Sequence, residues 1–172
     1  PRQLRLHRLR EMETALDAVE DGGADNTPLF QALADTITRY RLPVDLFRDL
    51  LSAFRQDVSK TRYADFNELM DYCSRSANPV GRLMLYLTEQ VSDSRLVMAD
   101  NVCSALQLIN FVQDIDRDYR KNHRIYIPQA ELQYYAVSAD DIKHRRNSAG
   151  FKQLMNFQIQ RAAALLDSAS PP

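Results

Sequence analysis

Apolar residues recur at three- and four-residue steps along almost the whole chain, a spacing that lines one face of an α-helix and defeats the alternation a strand needs. Leu4, Leu6, Leu9, Met12, Leu16 and Val19 mark a first amphipathic helix, which Gly22-Gly23 closes. Asn26 or Thr27 is placed to cap a second helix, with Pro28 in its first turn and Leu29, Phe30, Leu33, Ala34 and Ile37 as its buried stripe. Pro43 restarts the pattern with Val44, Phe47, Leu50, Leu51, Phe54 and Val58 on one face. Asp65 caps a fourth helix with Phe66, Leu69, Met70 and Cys73 inward. Asn78-Pro79-Val80-Gly81 should kink or break it, because proline removes a backbone donor and clashes with the preceding turn. Helix resumes over Leu83 to Leu87, and Ser92 or Asp93 opens the longest candidate, running to about Arg120. That segment is apolar on several faces, which places it at the centre of a bundle. Arg124 to Pro128 alternates like a strand but is too short and solitary for a sheet, so it reads as an extended connection. Ser138 caps a short helix with Asp141 at its third position, and Phe151 to Leu166 forms the last. The expected fold class is all-α, a helical bundle.

Composition narrows the function classes. Four glycines in 172 residues, 45% hydrophobic and 26% charged residues disfavour disorder, collagen and a turn-rich β-sandwich. The length suits a single domain over 1–172 with a real core. A net charge of −1 supplies no global field to draw the chain onto nucleic acid or anionic lipid, so no nucleic-acid partner is expected. Two cysteines, Cys73 and Cys103, make no disulfide framework, which favours a cytoplasmic setting, and no apolar run reaches the ~20 residues of a membrane span. Cys103 is expected in the core. The chain starts at Pro1 in a helical pattern already under way, and reads as a piece of something longer.

Two segments carry chemistry. Gln107, Asn110, Asp114 and Asp118 follow one another at steps of three, four and four, one polar stripe on an otherwise apolar helix. Aspartates four apart share a helix face and suit joint coordination of Mg²⁺. The stripe either lines a polar cavity or metal site inside the bundle, since buried polar groups need partners, or it faces solvent. The same spacing recurs at Asp17/Asp21, Asp21/Asp25 and Asp45/Asp49, where helix ends and wet faces make solvated surface the better reading. The second segment joins Tyr72 to the small residues around the Pro/Gly break, Ser76, Ala77, Val80 and Gly81. Small residues admit a close neighbour, and a phenol can donate or accept a proton; a kinked helix packed on its neighbour is the alternative. Arg75 and Arg82 flank the kink, where they either grip a phosphate or remain surface charges.

Tyr72-Cys-Ser-Arg-Ser-Ala-Asn-Pro-Val-Gly-Arg82, then Ala105-Leu-Gln-Leu-Ile-Asn-Phe-Val-Gln-Asp-Ile-Asp-Arg-Asp118, then Arg124-Ile-Tyr-Ile-Pro128, in this order, resemble the squalene/phytoene synthase family. Phe54-Arg-Gln-Asp57 and Arg62-Tyr63 also fit. The Ser-Ala-Asn-Pro-Val-Gly-Arg wording and Gln113 resemble the bacterial hydroxysqualene synthase branch, linked to hopanoid biosynthesis. The resemblance implies an isoprenoid-synthase helical bundle, here incomplete at both ends, and an enzyme acting with Mg²⁺ on a prenyl diphosphate, farnesyl or presqualene diphosphate, to give squalene or hydroxysqualene. By the same resemblance Asp114 and Asp118 hold the metal, Tyr72 sits near the reacting carbons, and Ser76, Ala77, Val80, Gly81, Gln107 and Asn110 bind substrate. The family's first aspartate-rich motif falls upstream of Pro1, and Asp17/Asp21 do not replace it. The chain alone is therefore expected to have little activity. A greasy product implies peripheral contact with the inner membrane face, and a sister synthase is an expected partner. The competing reading is a non-catalytic helical partner or lipid-binding pseudo-enzyme.

Overall fold

Helix follows helix, as the spacing requires. The computed structural model describes residues 2–23 and 27–169. In these it contains α1 (Arg2–Glu20), α2 (Pro28–Tyr40), α3 (Val44–Asp57), α4 (Phe66–Ser76), α5 (Asn78–Leu87), α6 (Asp93–Gln113), α7 (Ile115–Asn122), α8 (Gln129–Tyr134), α9 (Ala139–Lys143) and α10 (Ala149–Asp167), with no strand among the described residues. The all-α reading stands. None of the described helices is long and apolar enough to cross a membrane.

Local chemistry sets the helix starts. Asp65, Ser92 and Ser148 each accept the backbone N–H three residues on, and Ser138 with Asp141 forms a reciprocal capping box. Thr27 is the cap residue of α2 but makes no side-chain capping bond, and Asn26 lies outside the described residues. Gly22, at φ 79, supplies the left-handed turn after α1.

Two expectations need correction. The stripe of α2 is not fully buried: Leu29 is exposed, and Phe30, Leu33, Ala34 and Ile37 are half-buried, because α2 packs mainly on α1 at the edge of the bundle. The long central helix stops at Gln113, where Asp114 (φ −97, ψ 7) departs from helical geometry. The axis nevertheless carries on into α7, since Asp114 donates its N–H to Asn110 (2.9 Å) and accepts from the N–H of Asp118 (2.8 Å) across the junction.

The break at Asn78-Pro79 is where the sequence places it: Ala77 ends α4 and opens α5 with φ −120 and ψ −50. Helix α6 packs on both α5 and α10. One buried cluster joins Ala53, Tyr63, Leu69, Tyr72, Cys73, Leu108, Phe111 and Ala162; a second joins Ile125, Ile127, Leu132, Val137, Ile142 and Leu154. The extended segment 124–128 ties the two together. Its residues bury Ile125 and Ile127, and the N–H groups of Ile125, Gln129 and Ala130 donate to the carbonyls of Thr61, Tyr63 and Ala64 at 3.0, 2.8 and 3.1 Å.

At the start of α10, Gly150 lies directly against the Tyr135 carbonyl oxygen, and a Cβ there would collide with backbone. Gly150→Ala is expected to cost about 2 kcal/mol, lowering the thermal midpoint by roughly 6 °C. A melt followed by circular dichroism checks this; an unchanged midpoint would mean the α8–α10 connection has slack.

Candidate active site

Tyr72 is the focus. It lies on the inner face of α4, 3% exposed, and its hydroxyl donates to Asp57 Oδ2 at 2.9 Å. Its ring is surrounded by Tyr63, Tyr126 and Phe111, with centroids 5.4, 5.7 and 6.3 Å away; Phe111 and Tyr126 stack at 3.8 Å. Burial pushes the Tyr72, Tyr63 and Tyr126 phenols above the usual range, so all three keep their protons at neutral pH.

Asp57 ends α3 and faces the same centre. Burial raises its carboxyl, while Arg124 and the Tyr72 hydroxyl act in the opposite direction. Arg124, buried at the head of the extended segment, is held from three directions: Nη2 donates to the Asp57 carbonyl (2.5 Å), Nε to the Lys60 carbonyl (3.2 Å) and Nη1 to the Tyr126 hydroxyl (2.9 Å). Asp57 Oδ1 stands 3.2 Å from Arg124 Nη1 yet accepts no hydrogen bond. The Nη1 bond to Tyr126 and this alignment leave the contact one of charge alone.

The small-residue run sits at the α4–α5 junction. Gly81 packs on α6, where an added Cβ would come within 2.5 Å of Cys103 Sγ and 3.4 Å of Ala99 Cβ. Ser104 Oγ donates to Asn78 Oδ1 at 2.8 Å across the same interface. Cys103 is thus half-buried at a helix contact, at the edge of the core. Ser76 Oγ is buried with no hydrogen-bond partner, Ala77 and Gly81 are half-buried, and Val80 is 48% exposed, in line with exposed Met84 and Leu87 along α5. Arg75 and Arg82 are already engaged. Arg75 donates to Ser52 Oγ, Gln56 Oε1 and Asp71, and Arg82 grips Asp100 with two bonds of 2.8 and 2.5 Å. Here they brace helices and do not offer a free phosphate clamp.

On α6 and α7, Gln107, Asp114 and Asp118 are half-buried and Asn110 is exposed. The Asp118 carboxyl is pushed up first by burial and then by the neighbouring Asp114 charge, with Asp57 adding to it and Arg117 and Arg124 opposing. Asp114 is bonded to the exposed Arg117. Two adjacent carboxylates that repel one another, one of them partly desolvated, are the donor set expected of Mg²⁺, which takes one or two protein carboxylates and completes its shell with water and substrate phosphate. No cluster of three or more His, Cys, Asp or Glu donors occurs among the described residues. Of the other pairs, Asp17, Asp21 and Asp45 are exposed. Asp17 and Asp45 bond to Arg48, and Asp25 lies outside the described residues. Asp49 departs from the wet face expected of it, since it is half-buried and its carboxyl is raised by burial.

Helices α4 and α5 pack on α6, and the aromatic contact of Phe111 with Tyr72 joins the two motif segments. Sequence reasoning passed over Asp57, Arg124 and Tyr126 as site residues. A signal existed for Asp57: it lies four residues beyond buried Ala53 and eleven beyond buried Leu46, on the apolar face of α3 where a carboxylate needs a partner. A separate apolar cavity of about 200 Å³ lies between α1, α2 and α3, lined by Met12, Leu16, Phe30, Phe47, Leu51 and Phe54.

The squalene/phytoene synthase family model matches residues 1–171. Hydroxysqualene synthase of Zymomonas mobilis is 35% identical over 168 residues, which make up 96% of this chain and 55% of that protein. The chloroplastic phytoene synthase 1 of Arabidopsis thaliana is 32% identical, over 80% of this chain and 34% of its own length. Squalene synthase HpnC from Alicyclobacillus acidocaldarius superposes with a TM-score of 0.89 at 39% identity, over 95% of this chain and 62% of that one. A dehydrosqualene synthase gives the same TM-score at 25% identity, over 98% of this chain and 59% of the other. The chain thus spans about half the length of the hydroxysqualene synthases it matches. With a family model matched along virtually its whole length, the chain belongs to the squalene/phytoene synthase family.

Proposed function

We propose that the whole protein ionises a prenyl diphosphate, converting presqualene diphosphate to hydroxysqualene or farnesyl diphosphate to squalene, and that residues 1–172 supply one wall of the site. The observation that carries this is that Asp114 and Asp118, two mutually repelling carboxylates, follow Phe111 along the α6–α7 axis, and Phe111 packs against Tyr72. A Mg²⁺ ion held by that pair would neutralise the charge that grows on a departing diphosphate. Gln107 and Asn110, three residues apart on α6, would hydrogen-bond polar substrate atoms. The apolar row at Val80, with Gly81 keeping the α5 backbone close to α6 and the small Ser76 and Ala77 just before it, suits an isoprenoid tail. The negatively polarised faces of Tyr63, Tyr72, Phe111 and Tyr126 suit a nearby carbocation. The similarity to hydroxysqualene synthase supports the presqualene branch over the others.

Incubating the whole protein with Mg²⁺ and, separately, farnesyl, presqualene and geranylgeranyl diphosphate, followed by product analysis, tests the reading. Hydroxysqualene from presqualene diphosphate is the expected product, and residues 1–172 alone are expected to turn over little. Binding of these diphosphates without any product would instead establish a non-catalytic partner.

A further inference from the structure

The centre around Tyr72 contains a carboxylate that the proposed chemistry does not use. Asp57 comes from the end of α3 and reaches Tyr72 through a 2.9 Å hydrogen bond in which the phenol is the donor. A tyrosine hydroxyl has one proton. Once that proton is committed to Asp57 Oδ2, the Tyr72 oxygen can only accept from, or present lone pairs to, anything else beside it. Asp57 is itself fixed, because Arg124 binds its backbone carbonyl and stands 3.2 Å from its second oxygen. Arg124 is fixed in turn by the Lys60 carbonyl and the Tyr126 hydroxyl.

We infer that Asp57 is a positioning residue for this site, acting through Tyr72: it accepts the phenolic hydrogen bond and so sets the Tyr72 oxygen as an acceptor toward the substrate, with Arg124 holding the carboxylate in register. This rests on the prenyl-diphosphate reading above. Of the two roles a phenol can play, the arrangement selects the one suited to a centre of developing positive charge. It disfavours proton donation to the leaving diphosphate.

The test uses the whole protein with Mg²⁺ and presqualene or farnesyl diphosphate, whichever it consumes. Asp57→Ala is expected to lower kcat about tenfold to a hundredfold through a misplaced hydroxyl, while KM stays within about twofold. Asp57→Asn, whose side-chain oxygen still accepts from the phenol, recovers most of kcat. In a Tyr72→Phe background Asp57→Ala adds little further loss, because the hydroxyl it orients is gone. Should Asp57→Ala fail to fold, Asp57→Glu replaces it: the charge is kept, the acceptor is displaced by one methylene, and kcat is again expected to fall at constant KM. Wild-type kcat in the Ala or Glu variant, or losses that multiply with Tyr72→Phe, would overturn the inference while leaving the functional reading intact. No turnover by the unaltered protein overturns both.

Discussion

Asp118→Ala in the whole protein is expected to reduce turnover of its prenyl diphosphate by a hundredfold or more, because a divalent cation contributes several kcal/mol of charge neutralisation at a departing phosphate and about 1.4 kcal/mol is worth a factor of ten. Stability is expected to move the other way. The Asp118 carboxyl is raised in the folded chain by burial and by Asp114, so the native state binds its proton more tightly than the unfolded state does. Ionisation therefore subtracts stability as pH rises from the ordinary carboxylate range through the raised native value. Removing the group abolishes that penalty, and the variant should be at least as stable as the parent at pH 7 and should lose this part of the pH dependence. Rate measurements across a Mg²⁺ titration, paired with denaturant unfolding at pH 4 and pH 7, separate the two effects. Full turnover by the variant at low Mg²⁺ would remove Asp118 from the metal site.

Arg124→Ala is expected to produce the largest loss of stability of any single substitution proposed. Asp57 would keep its buried carboxylate and lose its cationic neighbour, and breaking one side of a buried charge pair costs about 3–5 kcal/mol. For a chain of this size that is roughly a 10 °C fall in thermal midpoint. Three backbone and hydroxyl acceptors, at Asp57, Lys60 and Tyr126, are left without their donor as well. The pH dependence gives the cause a signature. Asp57 is already raised in the native chain, and Arg124 opposes that rise. Without the guanidinium the native value climbs further, the protonated form is favoured, and the deficit of the variant should shrink as pH falls from 7 toward 5. A deficit that is constant over that interval would show that lost packing, and not the stranded carboxylate, sets the cost.

The fold was legible because its signals are local. Cap residues at Asp65, Ser92 and Ser138, the Asn78-Pro79 break and the three- and four-residue apolar steps each act within one or two turns, and each reappears at its place. The failures are tertiary in origin. Nothing within α2 reveals that its partner surface covers only half of the stripe, and nothing in the Gln107–Asp118 spacing reveals a departure from helical geometry at Asp114. The motif residues were recognisable from resemblance. The network that joins Asp57, Tyr72 and Arg124 was not, because the three are far apart in the chain and meet only when α3, α4 and the extended segment are packed together.

That extended segment also bears on how the molecule is made. The Arg124 bond to the Lys60 carbonyl spans 64 positions in sequence, and the Ile125–Thr61 bond beside it spans the same distance. Closing so long a loop costs little more free energy than closing a short one, since the entropy grows only with the logarithm of length, yet contacts of this range are slow to form. The helices of α4 to α6 can assemble from nearby contacts before this happens. The Tyr72 centre cannot, so partly folded chains would carry helix in abundance while the chemistry waits on the return of residues 124–128.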